Sequence, residues 1–260
     1  MAARIPPEAA ALTAQLLEAQ RQVLGDRLLA LYLFGSATAG SFEAGISDVD
    51  TVAVLATDPT EEDLANLANM HERLIDEGPA WNDRVEVDYL SAPALTDFRS
   101  RSWPAARISP GEPFHRIQID QRWVLDWYQV LMSGVTLYGP PPQNLIPPIS
   151  HEEFVKAARQ QLREWPDRLT KDVNSGGVAY AVLTTCRAFR VCRTGEYVSK
   201  KEAAEWAGVQ LPQFDSLITD ALAQRSEARA GAASRTFPLA ETRQFVEVVI
   251  NLCATPDAEH

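Results

Sequence analysis

The sequence is poor in cysteine and histidine and has no long apolar run. Its 260 residues include three cysteines and four histidines, and neither type recurs at the spacing of a metal-binding motif. The cysteines are odd in number and lie in apolar helical contexts, which favours buried thiols over a disulfide framework. No run reaches the roughly eighteen uncharged apolar residues of a membrane-spanning helix, and the first residues do not resemble a signal peptide. We therefore expect a cytoplasmic protein that does not enter a membrane.

Positive charge is also scarce. The chain has 24 Lys and Arg residues against 35 Asp and Glu residues, which leaves a formal net charge of −11. A surface that binds a polyanion needs local positive charge, and the longest basic clusters, Arg187 to Arg193 and Lys200-Lys201, are short. We therefore do not expect nucleic acid as a substrate. The acidic balance suits a cationic small molecule, although the same charge also favours solubility.

The order of the apolar patterns divides the chain into two domains. Strand patterns alternate with helical patterns as far as residue 148, whereas every pattern after the proline-rich stretch 140–148 is helical. The segment 92–115 contains four prolines, and we expect it to be an irregular flap. The sequence predicts an α+β fold: a mixed sheet flanked by helices in residues 1–148, then an α-helical bundle in residues 149–260.

Residues 31–54 combine a Gly-Ser turn with two closely spaced aspartates. Gly35-Ser36 ends one apolar run, and Asp48-Val49-Asp50 begins the next. Aspartates two residues apart at the start of a strand project from the same face and repel each other unless a cation is bound there. Mg²⁺ takes one or two carboxylates together with substrate phosphates, and the backbone N–H groups of a Gly-Ser turn suit phosphate oxygens. This stretch predicts a metal-assisted nucleotidyl transfer site.

A second acidic pattern follows in the stretch RVEVDYL at residues 84–90. Glu86 and Asp88 alternate with apolar residues there and therefore point to one face of the predicted strand. If this strand lies beside the one that begins at Asp50, all of these acids meet at one patch. A carboxylate at that patch can act as a general base, and the pattern leaves both Glu86 and Asp88 as candidates.

The ordered set of a Gly-Ser turn, Asp-x-Asp and a later acid-bearing strand resembles the DNA polymerase β-like nucleotidyltransferase superfamily. Within it, the chain resembles the bacterial aminoglycoside adenylyltransferases that modify streptomycin and spectinomycin. The stretches that carry this resemblance span nearly the whole chain: LFGSATAG, VEVDYL, GVTLYGPPP, AVLTTCRAF, RTGEYVSKKEAAEWA and QLP. The resemblance implies a nucleotidyltransferase domain followed by a helical domain, with ATP and the drug bound in the cleft between them.

The resemblance also assigns roles to residues. It implies that Asp48 and Asp50 bind Mg²⁺ and that Glu86 is the catalytic base. Five positions are implied or expected to contact ATP as co-substrate: Gly35, Ser36, Ser47, Arg187 and Lys200. Candidate contacts to the acceptor are Asp88, Trp103 and Asp172. We expect the acceptor to be a cationic small molecule and the protein to be a monomer.

One stretch departs from the family pattern. The family carries acids just before the helix at 178–194, and these hold the cationic drug, whereas this chain reads Ser-Gly-Gly-Val at 175–178. Asp167 and Asp172 are nearby acids that could replace them. The acceptor is therefore open between an aminoglycoside and the hydroxyl of another small molecule or a protein. A non-catalytic nucleotide-binding module is the remaining alternative, which the intact set of Asp48, Asp50 and Glu86 disfavours.

Overall fold

A computed structural model describes residues 5–78, 81, 83–229 and 235–254, without the side chains of 226–229. The chain forms two compact units, Met1–Ile149 and Ser150–His260. Within the described ranges, no helix is both long and apolar enough to cross a membrane.

The first unit is built on a mixed sheet of six strands in the order β5-β4-β3-β2-β1-β6. The strands are β1 Leu28–Phe34, β2 Val49–Leu55, β3 Val85–Ser91, β4 Trp103–Ser109, β5 Glu112–Ile119 and β6 Val135–Tyr138. Only β2 and β3 pair in parallel, and the other neighbouring strands are antiparallel. The helices of this unit are α1 Pro7–Leu24, α2 Glu61–Glu77, α3 Ala92–Asp97 and α4 Val124–Ser133.

The core of the first unit lies between the central strands and the helices α1 and α2. Both helices present apolar residues at helical spacing, such as Leu12 and Leu16 in α1 and Leu67 and Leu74 in α2, and these are buried. Strands β1, β2 and β3 are buried at every residue except the second, because the neighbouring elements cover them on both faces. The second residue is Asp50 in β2 and Glu86 in β3, and these two half-buried acids belong to the site described below.

The second unit is a bundle of five described helices: α5 His151–Arg168, α6 Ser175–Thr194, α7 Lys200–Gln210, α8 Asp215–Arg229 and α9 Leu239–Ala254. Helix α6 is central, since it packs against each of the other four. Its start is capped by Asn174, whose side chain accepts a hydrogen bond from the N–H of Gly177, and it ends at Gly195 in the left-handed conformation.

The α+β prediction is confirmed, with a mixed-sheet unit followed by a helical unit. The prediction of an irregular flap at 92–115 is wrong, because this segment forms α3, β4 and the first half of β5. Its prolines are compatible with regular structure. Pro93 lies in the first turn of α3, Pro104 lies beyond the part of β4 that pairs with β3, and Pro113 lies on the edge strand β5.

A buried polar group connects α1, α2 and β3. The fully buried Tyr89 hydroxyl accepts a hydrogen bond from Gln20 Nε2 at 2.8 Å and lies 2.8 Å from His71 Nε2. Because Gln20 donates, the hydroxyl hydrogen of Tyr89 can be donated to His71 Nε2 when that nitrogen carries no proton. The ring also stacks on Phe114 at 5.8 Å. Burial lowers the pKa of His71 to about 4, in agreement with a neutral ring.

This group should make the protein less stable as the solution is acidified. The unfolded chain binds a proton at His71 near the ordinary imidazole pKa of about 6.5, whereas the folded chain binds it only near pH 4. Between these two pKa values the unfolded state holds more protons than the folded state. The free energy of unfolding therefore decreases as the pH is lowered, by up to about 1.4 kcal/mol per pH unit. His71→Gln keeps a hydrogen-bonding side chain without a titratable ring and should flatten this dependence in urea unfolding between about pH 7 and pH 5.

The control is His115→Gln, which removes an imidazole that is exposed on β5. This variant should keep the pH dependence of the wild-type protein. Equal pH dependences in the wild-type protein and His71→Gln would contradict the role given to the buried ring.

Candidate active site

The parallel pairing of β2 and β3 places two predicted site residues side by side. Asp50 is the register partner of Glu86, and the next partners along the strands are Thr51 with Val87. Residues opposite each other on parallel strands project from the same face, so the two carboxylates share one surface of the sheet. Asp48 lies two residues before Asp50, next to the start of β2. The strand pairing that the acidic patterns required is therefore present.

The Gly-Ser turn lies against the same carboxylates. Phe34, the last residue of β1, is the register partner of Asp50, which brings Gly35 beside the Asp50 side chain. Gly35 has a φ of +69°, and a Cβ atom at this position would lie 2.1 Å from Asp50 Oδ2. Only glycine fits both the conformation and the space. The backbone of the turn that continues through Ser36 is thus held directly at the carboxylate.

Asp88 is held by an arginine that sequence analysis did not identify. Arg107 on β4 is its register partner, and Nε and Nη2 of the guanidinium lie 2.6 and 2.7 Å from the two carboxylate oxygens. Asp88 is 1% exposed, so this bidentate pair satisfies an otherwise buried charge. Both oxygens of Asp88 are engaged with the guanidinium. The arrangement therefore favours Glu86 over Asp88 as the general base.

Arg107 also approaches Glu86, with Nη2 3.6 Å from Oε1. Burial opposes the charged form of Arg107, but its hydrogen bonds to Asp88 and the nearby charges of Asp88, Glu86 and Asp126 outweigh this and raise its pKa. The guanidinium therefore stays charged and offsets part of the acidity of the patch. Asp126, on α4, was likewise not identified from the sequence.

Glu86 is a carboxylate whose surroundings strongly perturb its pKa. Burial is the largest cause that raises its pKa, and the charges of Asp50, Asp88 and Asp126 raise it further, while Arg107 acts in the opposite direction. The result is a pKa well above the ordinary value of a glutamate. A carboxylate with a raised pKa is a stronger base and is typical of catalytic positions.

The same crowding of carboxylates fits a divalent cation. Asp50 and Glu86 repel each other across neighbouring strands, and a cation between Asp48 and Asp50 would relieve this repulsion. The described residues contain no group of three or more His, Cys, Asp or Glu side chains arranged as a complete metal site. Mg²⁺ commonly uses one or two carboxylates and completes its octahedron with phosphate oxygens and water, and its binding by Asp48 and Asp50 stays a prediction.

Two other predicted residues of the first unit have structural contacts. Ser47 is buried, and its hydroxyl accepts a hydrogen bond from the N–H of Glu43 at 2.9 Å, which closes the loop that leads to Asp48. The indole N–H of Trp103 donates to the carbonyl of Asp97 at 3.3 Å, and the Arg101 guanidinium lies 3.6 Å from the ring centroid. These contacts give Ser47 a role in holding the loop before Asp48 and hold Trp103 against Asp97 and Arg101. The predicted ligand contacts of both side chains stay predictions.

The predicted site residues of the second unit lie on or beside the helix pair α6 and α7. Arg187 donates a hydrogen bond to the Tyr197 hydroxyl, and its guanidinium is 5.2 Å from the centroid of that ring. Lys200, the first residue of α7, has its ammonium 4.8 Å from the centroid of Tyr180. Asp172 is exposed in the turn before α6. Their contacts with ATP or an acceptor stay predictions.

Arg107 and Asp126 were not identified from the sequence, and the local sequence gives a different amount of information about each of them. Arg107 lies on the same face of β4 as Trp103 and Ala105, but this local pattern does not reveal that its partner on β3 is Asp88. Asp126 is the only acid inside the apolar helix α4, where a charged residue is costly unless it faces a polar site.

Comparison with known proteins finds adenylyltransferases among the proteins similar to this chain. Residues 144–251 match the family model of the aminoglycoside adenylyltransferase C-terminal domain. A spectinomycin 9-adenylyltransferase of Staphylococcus aureus is 25% identical over 221 residues, covering 79% of this chain and 80% of that protein. An aminoglycoside (3'')(9) adenylyltransferase of Klebsiella pneumoniae is 28% identical over 236 residues, covering 85% of this chain and 86% of that protein.

The fold has a counterpart among solved structures. A spectinomycin adenyltransferase from Enterococcus faecialis, crystallised with ATP and spectinomycin, matches with a TM-score of 0.72 and 14% sequence identity. The match covers 95% of this chain and 99% of that one. The family model over residues 144–251 and the two sequence relatives therefore show that this chain is similar to aminoglycoside adenylyltransferases.

Proposed function

We propose that this protein transfers AMP from ATP to a hydroxyl group of an aminoglycoside antibiotic of the streptomycin or spectinomycin type and thereby gives resistance. The observation that supports the chemistry most directly is the register of β2 and β3, which sets Asp50 beside Glu86 with Gly35 against the Asp50 carboxylate. The names of the relatives support the acceptor: one is a spectinomycin enzyme and another an aminoglycoside enzyme.

In the proposed reaction, the acceptor hydroxyl attacks the α-phosphorus of ATP and pyrophosphate leaves. Glu86 takes the proton of the attacking hydroxyl, a task for which its raised pKa suits it. Asp48 and Asp50 hold Mg²⁺, which when bound offsets the charge of the triphosphate and orients it. Arg107 secures Asp88 and limits the negative charge around Glu86.

The triphosphate needs positive charge that the carboxylate patch does not provide. We assign Arg187 and Lys200 to its β- and γ-phosphate oxygens, as cations held against the rings of Tyr197 and Tyr180. The backbone N–H groups around Gly35 and Ser36 would suit phosphate oxygens of ATP.

The acceptor has a second candidate class, another small molecule or a protein hydroxyl. The first turn of α6 contains no acid, although the resemblance places the drug-binding acids just before this helix. The exposed Asp172 in the preceding turn is the residue we assign to a cationic acceptor.

The first experiment identifies the acceptor. Purified protein with MgATP should release pyrophosphate when spectinomycin or streptomycin is added, and the drug should gain the mass of AMP. Transfer of labelled α-phosphate from ATP to another hydroxyl compound, with no label on either drug, would overturn the assignment of the acceptor. The proposed transfer of AMP would stand. ATP binding without transfer to any acceptor would overturn the enzyme itself.

Substitutions at the two facing carboxylates should have different effects. Glu86→Gln removes the base and should lower kcat by about 10²–10⁴-fold while Mg²⁺-dependent ATP binding persists. Asp50→Asn removes a metal ligand and should weaken ATP binding in the presence of Mg²⁺. Calorimetric ATP titrations and initial rates for both variants measure the difference. Equal loss of ATP binding in both variants would contradict the separate roles.

A side chain at Gly35 should collide with Asp50, and a substitution at Gly111, which has a similar backbone conformation, is the matched control. Gly35→Ala combines a left-handed backbone with a collision against Asp50, whereas Gly111→Ala has a φ of +79° and no atom within 4 Å of the added Cβ. Both variants should lose about 1 kcal/mol or more of stability, but only Gly35→Ala should lose most of its transfer activity. Similar activity in the two variants, measured by pyrophosphate release, would show that the Asp50 carboxylate is free to move away.

A further inference from the structure

The loop that leads into β2 ends at Asp48 and is closed by its own hydrogen bonds. The N–H groups of Ile46 and Ser47 donate to the carbonyl of Glu43 at 3.0 and 2.8 Å, and the Glu43 N–H donates to the Ser47 hydroxyl at 2.9 Å. These bonds lie within residues 43–47. They shape the loop, and other contacts are needed to fix it against the rest of the first unit.

Arg84 connects this loop to β3. It immediately precedes Val85, the first residue of β3, and is 8% exposed. Its Nε donates a hydrogen bond to the carbonyl of Ser47 at 3.0 Å, and its backbone carbonyl accepts one from the N–H of Val49 at 2.8 Å. Ser47 and Val49 are the two neighbours of Asp48 in the chain. One residue therefore binds the backbone on both sides of Asp48.

Glu8, in the first turn of α1, contacts both Arg84 and the loop. Its Oε1 lies 3.1 Å from Nη2 of Arg84, and its Oε2 accepts a hydrogen bond from the N–H of Gly45 at 3.2 Å. A guanidinium removed from water is costly unless it is paired, and Glu8 supplies the pairing charge. The contacts thus run from α1 through Arg84 to the loop.

We propose that Arg84 is a positioning residue for Asp48 and that Glu8 holds the Arg84 guanidinium in place. The inference rests on the proposed function, in which Asp48 is a ligand of Mg²⁺. Two carboxylates bind one cation tightly when the residues around them fix their separation in advance. Arg84 acts through the backbone of Ser47 and Val49, so it determines where the Asp48 carboxylate stands relative to Asp50.

Two substitutions separate this role from a general contribution to stability. Replacing a buried ion pair with apolar side chains is often neutral or stabilising, so the fold alone does not require this pair. Arg84→Met keeps an apolar stem and the backbone bond to Val49, but it removes the donor to the Ser47 carbonyl. Glu8→Gln keeps an acceptor for the Gly45 N–H and removes the charge that pairs with the guanidinium.

The first test uses the full-length protein without metal or nucleotide. Amide hydrogen–deuterium exchange, measured by mass spectrometry on peptides that cover 43–50, should be faster in Arg84→Met than in the wild-type protein, because the loop opens more readily. A smaller increase is expected in Glu8→Gln, which keeps the measurement decisive if Arg84→Met destabilises the whole unit. Unchanged exchange at 43–50 in both variants would overturn the inference, whatever reaction the protein catalyses.

Each substitution has a matched control. Arg27→Met removes a partly buried arginine that pairs with Asp63 just before the start of β1, whereas Asp50 pairs with the end of β1. Glu18→Gln changes an exposed acid on α1 that accepts a hydrogen bond from Gln22. Both controls should exchange at 43–50 as the wild-type protein does. An equal increase in Arg27→Met would show a general effect of arginine removal and would also overturn the inference.

The second test measures the Mg²⁺ requirement of ATP binding by calorimetric titration at a series of Mg²⁺ concentrations. The Mg²⁺ concentration that gives half of the metal-dependent gain in ATP affinity should rise by about 10–100-fold in Arg84→Met, and ATP affinity without Mg²⁺ should stay unchanged. Asp48→Asn is the reference and should lose the gain. A loss in Asp48→Asn with no change in Arg84→Met would overturn the inference alone. No change in Asp48→Asn would overturn the metal assignment of the proposed function and the inference with it.

Discussion

The parallel pairing of β2 with β3 is the constraint on which the candidate site depends. It is the one parallel pair in a sheet whose other neighbouring strands are antiparallel. Strand register has a period of two residues, so a slip by one position would turn Glu86 away from Asp50 and toward the opposite face. The apolar residues that alternate with these acids are buried under α1 and α2. The hydrophobic core therefore fixes the register, and the register fixes the distance between the charges.

Several acids placed close together repel each other, and elements other than β2 and β3 offset part of this repulsion. Arg107 reaches from β4 to Asp88 and Glu86, and it keeps its charge because three carboxylates surround it. Without this cation, Asp88 would be a buried charge with no partner, which is among the most destabilising features a core can contain. Arg107 therefore contributes to the stability of the sheet as well as to the electrostatics of the site.

Whether the sequence predicts a site residue depends on how far apart in the chain the interacting residues lie. Asp48, Asp50 and Glu86 were identified because alternation within one strand reveals which residues share a face. Arg107 was not identified, because the register between β3 and β4 sets its partner. No local pattern within either strand indicates that register. Prolines were misleading at 92–115 because they occupy first-turn and edge positions that regular structure accepts.

Helix α6 carries Arg187 and packs against each of the other four helices of its unit. Arg187 donates a hydrogen bond to the hydroxyl of Tyr197, which lies two residues after the end of α6 at Gly195. The side chain therefore holds the segment after Gly195 against the helix. A change in the packing of α6 would move the Arg187 guanidinium and Tyr197 together.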